Sequence, residues 1–295
     1  MIDLGVTLQP DRVYLDLVEP LARDYADYVE VAPETLWRRS DDGRFVPNGY
    51  HARLRAWLDE QPMRVVGHGT GLSLCSMDPR DDPRFEIWLE RLRADHAEFD
   101  FQWYTDHLGA SVLAGHAITL PMPVPLVDET ADRIAQRLAR LATVVQDVGF
   151  ENTVHYFLLG DGRDEPAWIR RALAAEHSWL LLDLHNLFTM EQNLGLAGDE
   201  WLAAIDLNRV VEIHVSGGVD SPRGWLPNER QIRLDSHDAD VPEPVWSMLE
   251  TVLCRCPNLR GVTLERMEGS LDAANIDAFE AELVRLRGIL DESSR

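Results

Sequence analysis

Eight times along the chain, a short run of β-branched and other apolar residues is followed by a turn and then by an amphipathic stretch rich in arginine and leucine. The apolar runs fall at 2–8, 28–32, 64–68, 101–106, 149–154, 178–185, 210–216 and 261–266. Helical patterns lie near 11–26, 50–60, 83–97, 128–147, 165–176, 198–205, 242–254 and 272–290. Strands separated by helices pair in parallel, because each crossover returns the chain to the same end of the sheet. Eight such units in 295 residues match a (β/α)8 barrel in count and length. A doubly wound sheet would normally carry a glycine-rich phosphate turn after its first strand, and LGVTLQPDR is not one. No linker, low-complexity stretch or composition break divides the chain. The expectation is an α/β protein, one TIM-barrel domain over residues 1–295.

Charge narrows the chemistry. Against 51 acidic residues stand 28 basic ones, a net charge of −23, and every basic residue is arginine. Without lysine there is no Schiff-base chemistry and no P-loop lysine. The acidic excess argues against nucleic acid and anionic lipid as partners, since both need a basic surface. No apolar run approaches the roughly 20 residues that span a bilayer. The start MIDLGVTLQPDR lacks the basic and apolar parts of a signal peptide. Cys75, Cys254 and Cys256 make a poor disulfide framework, which suggests a reducing compartment. A cytoplasmic protein is expected. Cys254-Arg-Cys256 is too closely spaced for the usual zinc pair and follows a helical stretch, so no metal or redox site is expected there.

In a (β/α)8 barrel the active site lies at the C-terminal ends of the strands. Those ends carry His68, Asp106-His107, Glu151-Asn152, Asp183-Leu184-His185-Asn186, Glu212-Ile213-His214 and Glu265-Arg266, and the loop after the seventh run adds Asp235-Ser236-His237. Alternate residues of a strand share a face, so Asp183 and His185 are predicted to point together, as are Asp235 and His237 if extended. One buried histidine or aspartate near a strand end is usually a hydrogen-bonded core residue. So many ionisable groups converging on one axis would be very costly to bury without cations. Glu151, Asp183, His214 and Glu265 can close one metal site; His68, His107 and a bridging Glu151 a second; Asp235 and His237, with His185, a third. His51, His96 and His177 fall in or beside helical patterns and are expected at the surface, while His116 and His155 are left open. Trp57, Trp88, Trp168, Trp201 and Trp246 sit at helical spacing and read as packing. LPMPVPLVDET (120–130) reads as a rigid loop leading into the fourth helix.

At these residues the chain resembles the multinuclear non-heme iron-dependent oxidative enzymes (MNIO), TIM-barrel relatives of the methanobactin-biosynthesis oxidase. VVGHGTGLSLCS is similar to the HGxGLSxGS segment of that family, and YTDHLGAS to its SDHLxW. LPMPVPLVDETAD resembles LPLPYTEEA, and Glu151-Asn152 the start of an ENP turn. LLLDLHNLF is similar to LLLDVNN, RVVEIHVSGG to RVxxIHLAGH, LDSHDADVPEPVW to DTHDxPVxDPVW, and TLERM to LxER. Any one match is weak; eight in order over nearly the whole chain are specific. The resemblance implies a cluster of two or three irons, mixed Fe(II)/Fe(III), that uses O2 to oxidise a ribosomally made precursor peptide, commonly at cysteine. It also implies natural-product biosynthesis, often with a separate protein that recognises the leader peptide. Carried over by position, its ligands are His68, His107, Glu151, Asp183, His214, Asp235, His237 and Glu265.

This chain departs from the family pattern at four places. His185 stands where DVNN has its first asparagine, and an imidazole can also ligate iron. Leu194 replaces the histidine of Asn-His-Gly, Val154-His155 replace serines, and Thr35 replaces the asparagine expected after Glu34. Two other readings keep a barrel or its remnant. A divalent-metal sugar isomerase or an endonuclease-four-like hydrolase uses a similar Glu/Asp/His/Glu set without redox chemistry. The net charge and missing lysine count against the hydrolase, and His68, His107 and His237 are superfluous for the isomerase. A binding protein built on a degenerate site has Leu194 as its hint.

Overall fold

A computed structural model describes residues 1–113 and 115–293. Eight parallel strands close into a barrel: β1 (Asp3–Thr7), β2 (Tyr28–Val31), β3 (Arg64–Gly69), β4 (Tyr104–His107), β5 (Val148–Glu151), β6 (Ser178–Asp183), β7 (Val210–Val215) and β8 (Gly261–Leu264). Each pairs with its sequence neighbours, and β8 closes on β1 with Asp3 opposite Gly261. The expected α/β barrel is the observed fold.

Around it lie α1 (Arg12–Tyr25), α2 (Gly49–Glu60), α3 (Asp82–Phe99), α4 (Asp128–Leu141), α5 (Glu165–Ala172), α6 (Leu184–Leu194), α7 (Gly198–Ala204), α8 (Glu243–Val252) and α9 (Ile276–Ser293). Each turns an apolar stripe onto the barrel. In α1 that stripe is Tyr14, Leu15, Val18 and Ala22, and Asp11 caps the helix by accepting from the Tyr14 amide at 2.8 Å. In α4 it is Ala131, Ile134, Leu138 and Leu141. Trp88, Trp168, Trp201 and Trp246 are buried in this layer and Trp57 packs against it, as the helical spacing predicts. No helix among the described residues is long and apolar enough to cross a membrane.

The barrel interior divides into a lower plug and an upper polar floor. Tyr28, Val66, Trp103 and Val211 form the plug, with Trp179 against it. Gly5 and Gly261 make room for Tyr28: a Cβ on either would come within 2.6 Å of its ring. Above the plug the registers set His68 beside Thr105, His107 beside Glu151, and Asp183 beside His214.

Several sequence expectations change. The run 178–185 ends as a strand at Asp183, because Asp183 accepts from the Asn186 amide at 2.6 Å and caps α6. His185 therefore stands in the first turn of a helix that periodicity does not reveal, and the alternate-residue argument for it does not apply. Asp235 to His237 is irregular, with His237 in the left-handed region at φ 50°, not extended. Two hairpins are added, Trp37–Arg39 with Phe45–Pro47 and Ala110–Leu113 with His116–Met122, and the second takes in residues 120–122 of the predicted loop. His51 is buried against Asp95 and Glu98 instead of lying at the surface. His96 is partly buried and His177 is half-exposed beside Asp147. Of the undecided pair, His116 is exposed and His155 buried. Cys75, Cys254 and Cys256 are free cysteines.

Candidate metal centre

The sequence-predicted residues come together at the C-terminal end of the barrel in three linked groups. In the first, the Glu151 Oε2 atom lies 3.1 Å from His68 Nε2 and 3.0 Å from His107 Nε2. In the second, Asp183, His214 and Glu265 converge, with Glu265 Oε2 3.2 Å from His214 Nδ1. Glu265 Oε1 then reaches His237 Nδ1 at 3.2 Å. This leads to the third group, where Asp235 Oδ1 lies 2.6 Å from His237 Nε2 and 3.3 Å from His185 Nδ1. The His68 and His214 rings are 5.1 Å apart between centroids, so the first two groups share one floor.

Many of these contacts are not hydrogen bonds. His68 Nε2, Glu151 Oε2, Asp183 Oδ2, His185 Nε2, His214 Nδ1 and His237 Nδ1 are all buried without a hydrogen-bond partner. Each such orphan is costly in a low-dielectric interior. Donors about 2.1 Å from a common cation and at right angles around it lie about 3 Å from one another, the spacing of the imidazole–carboxylate pairs here. Neutral or anionic O and N donors without thiolate suit a hard or borderline divalent ion. The residues present therefore fit a metal.

Electrostatics agree. Burial, then the Glu151 and Asp235 charges, push the Asp183 carboxyl well above the usual carboxylate range. Burial favours neutral imidazoles, yet at His107 the charge and hydrogen bond of Glu151, together with the Asp106 and Glu265 charges, outweigh it, and the ring is raised to about 9. His68, His214 and His237 are raised too, against their burial, by Glu30, by Glu30 with Glu265, and by Asp235 with Glu265 respectively. His185 goes the other way, lowered by burial. A cation would replace the protons that these carboxylates otherwise hold on the rings.

The remaining ligand faces are held by neighbours. Asn186 donates to Glu151 Oε1 at 2.6 Å and Thr105 Oγ1 meets His68 Nδ1 at 2.8 Å. The Asn152 side chain bridges to β6, donating to the Asp183 carbonyl at 3.0 Å and accepting from its amide at 2.9 Å. Sequence reasoning named Asn152 and Asn186 only as parts of motifs and missed Thr105 and Glu30. The same alternation that aims His107 inward aims Thr105, and Glu30 lies two residues past the inward Tyr28. Asp106 points elsewhere, accepting from the Tyr104 hydroxyl at 3.0 Å, and burial beside the Glu34 charge raises its carboxyl to about 7. Arg266 ties Asp240 to Glu282, and Glu212 lies deeper, under the plug donors Trp103 and Tyr28.

A cleft of about 210 Å³ opens onto the floor between Gln9, Thr35, Thr70 and Met267, exposing His107 and His237 at its base. Tyr156, from the loop after β5, accepts from the Asp235 amide at 3.1 Å. Exposed Phe157, Trp225 and Met267 stand on the loops of this face.

A family model for the RiPP precursor modification enzyme MbnB/TglH/ChrH matches residues 3–290. A UPF0276 protein of Caulobacter vibrioides is 30% identical over 272 residues, spanning 91% of this chain and 92% of its own. One from Alcanivorax borkumensis is 28% identical over 250 residues, 79% and 76% of the two chains. A solved xylose isomerase domain protein from Planctomyces limnophilus superposes with a TM-score of 0.63 at 13% identity, covering 99% of both chains. A D-psicose 3-epimerase from Clostridium cellulolyticum gives 0.58 at 14% identity over 99% and 98%. Identities this low carry the fold alone.

Proposed function

This chain belongs to the MbnB/TglH/ChrH family of RiPP precursor modification enzymes, and from that premise we propose that it is an iron-dependent oxidase that uses O2 to modify a ribosomally made precursor peptide at cysteine. The supporting observation is the row of buried, unpartnered donor atoms on His68, Glu151, Asp183, His214 and His237. Two or three irons in mixed Fe(II)/Fe(III) states fit this reading, held by His68, His107 and Glu151; by Asp183, His214 and Glu265; and by His185, Asp235 and His237. When bound, such ions supply one-electron chemistry with O2 and a Lewis-acidic position for a thiolate.

The protein's own residues do the rest. Glu265 joins the second and third groups through its two oxygens, so the sites are held at fixed separation. Asn186 and Thr105 fix the orientation of Glu151 and His68, leaving one donor atom of each for the metal. The cleft past Gln9, Thr35 and Thr70 offers neutral hydrogen-bonding groups suited to a peptide backbone. Burial of the floor keeps water from the reacting sulfur. Recognition of the leader by a separate protein belongs to the same proposal.

The test is metal content of anaerobically purified protein, with Mössbauer or EPR spectra. Two or three irons per chain, partly ferric and lost on Asp183→Ala, are expected. Stoichiometric zinc or manganese that iron cannot replace would overturn the oxidative reading in favour of isomerase or hydrolase chemistry.

A further inference from the structure

His214, like His237, has a carboxylate on each side of its ring, but one of its two, Glu30, stands outside the three ligand groups. Its Nδ1 faces Glu265 Oε2 at 3.2 Å, and its Nε2 lies 2.9 Å from Glu30 Oε2. An imidazole that ligates a metal has one lone pair to give, so the nitrogen that keeps the proton decides which way the ring faces. Glu30 and His214 are both fully buried and 184 residues apart in sequence, and their contact spans the barrel interior from β2 to β7.

Only one other carboxylate approaches that side of the ring among the described residues. Glu212 lies 3.9 Å from His214 Nε2. Its oxygens are already taken by Trp103 Nε1 at 2.6 Å, Tyr28 OH at 2.8 Å and Thr263 Oγ1 at 2.6 Å. Glu30 has no such commitment. Its Oε2 meets His214 and its Oε1 is buried without a hydrogen-bond partner.

We propose that Glu30 is a positioning residue for the metal centre, accepting the Nε2 proton of His214 and thereby presenting Nδ1 to the cation shared with Asp183 and Glu265. The inference rests on the metal-centre reading above. Glu30 itself lies outside the segments that carry the family resemblance. A carboxylate in this position does two things that a neutral acceptor does not do equally. It fixes the ring tautomer, and its charge raises the basicity of the ligating nitrogen.

The experiment is anaerobic titration of metal-free protein with Co(II), read by visible absorption and by bound cobalt per chain, for wild type, Glu30→Gln and Glu30→Ala. Glu30→Gln keeps shape and an accepting oxygen, so it should bind the same number of ions with a shifted spectrum and about 10-fold weaker affinity. Glu30→Ala should lose up to about 100-fold, the upper range for outer partners of ligating histidines. The shifted spectrum and weakened binding of the glutamine variant, which keeps the packing, are what mere loss of packing would not give, and glutamine equal to wild type with only alanine weakened overturns the proposal. Unchanged spectra and affinities in both variants overturn the proposal while leaving the metal centre intact. Loss of one equivalent of cobalt in Glu30→Gln also overturns it, by making Glu30 a ligand. No cobalt uptake by the wild type overturns both the proposal and the reading beneath it.

Discussion

Buried histidine and carboxylate meet at the barrel mouth and again between α2 and α3. In the outer cluster Asp95 is fully buried, and both of its oxygens are engaged: Oδ2 accepts from Trp37 Nε1 at 2.5 Å and Oδ1 pairs with Arg91 and His51. An arginine already supplies the positive charge. At the mouth, among the described residues, Glu151, Asp235 and Glu265 are paired with imidazoles and with no arginine, and Glu151 Oε2, Asp183 Oδ2, His214 Nδ1 and His237 Nδ1 are buried without a hydrogen-bond partner. Burial of charge is the same in both places. The difference is whether a built-in cation completes the site, and that separates a structural cluster from one suited to a metal.

The sharpest way to break this contrast is to remove donors at the mouth. His214→Ala or Glu265→Ala should strip at least one metal ion per chain and reduce turnover by more than about 100-fold, beyond the usual cost of losing an outer partner. Metal analysis alongside activity checks both together. Unchanged metal content in the two variants would remove them from the ligand set. The converse substitution, Asp95→Ala, should leave metal content intact but cost about 3 kcal/mol in urea unfolding, by stranding Arg91 and the Trp37 indole.

Titration sharpens the contrast further. The His107 imidazole is raised to about 9, and His68, His214 and His237 are raised as well. Because folded values lie above unfolded ones, these rings stabilise metal-free protein fully below about pH 6.5, and that stability is lost as pH rises through about 9. Metal must displace the same protons, so affinity should climb about 10-fold per pH unit for each proton released across that interval. Melting of metal-free protein is then expected to fall from pH 7 to 9 while the loaded protein holds steady. A melting point of the metal-free form that rises over this range would contradict the assignment.

The barrel was legible because parallel strands and amphipathic helices leave distinct periods, and His68, Glu151, Asp183, His214 and Glu265 were named from their place at the C-terminal ends of the strands. What was not legible depended on partners far away in sequence or on a missing turn. α6 starts directly at Asp183, with the strand's last residue acting as its cap, so no loop residues announce it. Glu30 sits in YVEV, an ordinary strand until its partner on β7 is known. His51 on α2 looked exposed because the Asp95 beneath it belongs to another helix. Local patterns specify elements; which polar groups face one another is decided by closure of the barrel.

The smallest expected effect lies at Thr105. The His68 ring turns Nε2 toward Glu151 and Nδ1 toward the Thr105 hydroxyl at 2.8 Å, and His68 is only 4% exposed. If Nε2 serves the metal, Nδ1 keeps its proton and donates it to Thr105 Oγ1. Thr105→Val preserves shape while leaving that N–H buried without an acceptor, which costs about 1–3 kcal/mol in whichever state holds the ring in place. Part of this cost also falls on the metal-free protein, so only the remainder weakens binding. The expectation is an approximately 10-fold weaker metal affinity, read by competition with a chelator, and near-complete recovery in Thr105→Ser, which restores the hydroxyl. Valine equal to threonine would show that packing alone orients His68, and would move the first group closer in kind to the self-sufficient cluster between α2 and α3.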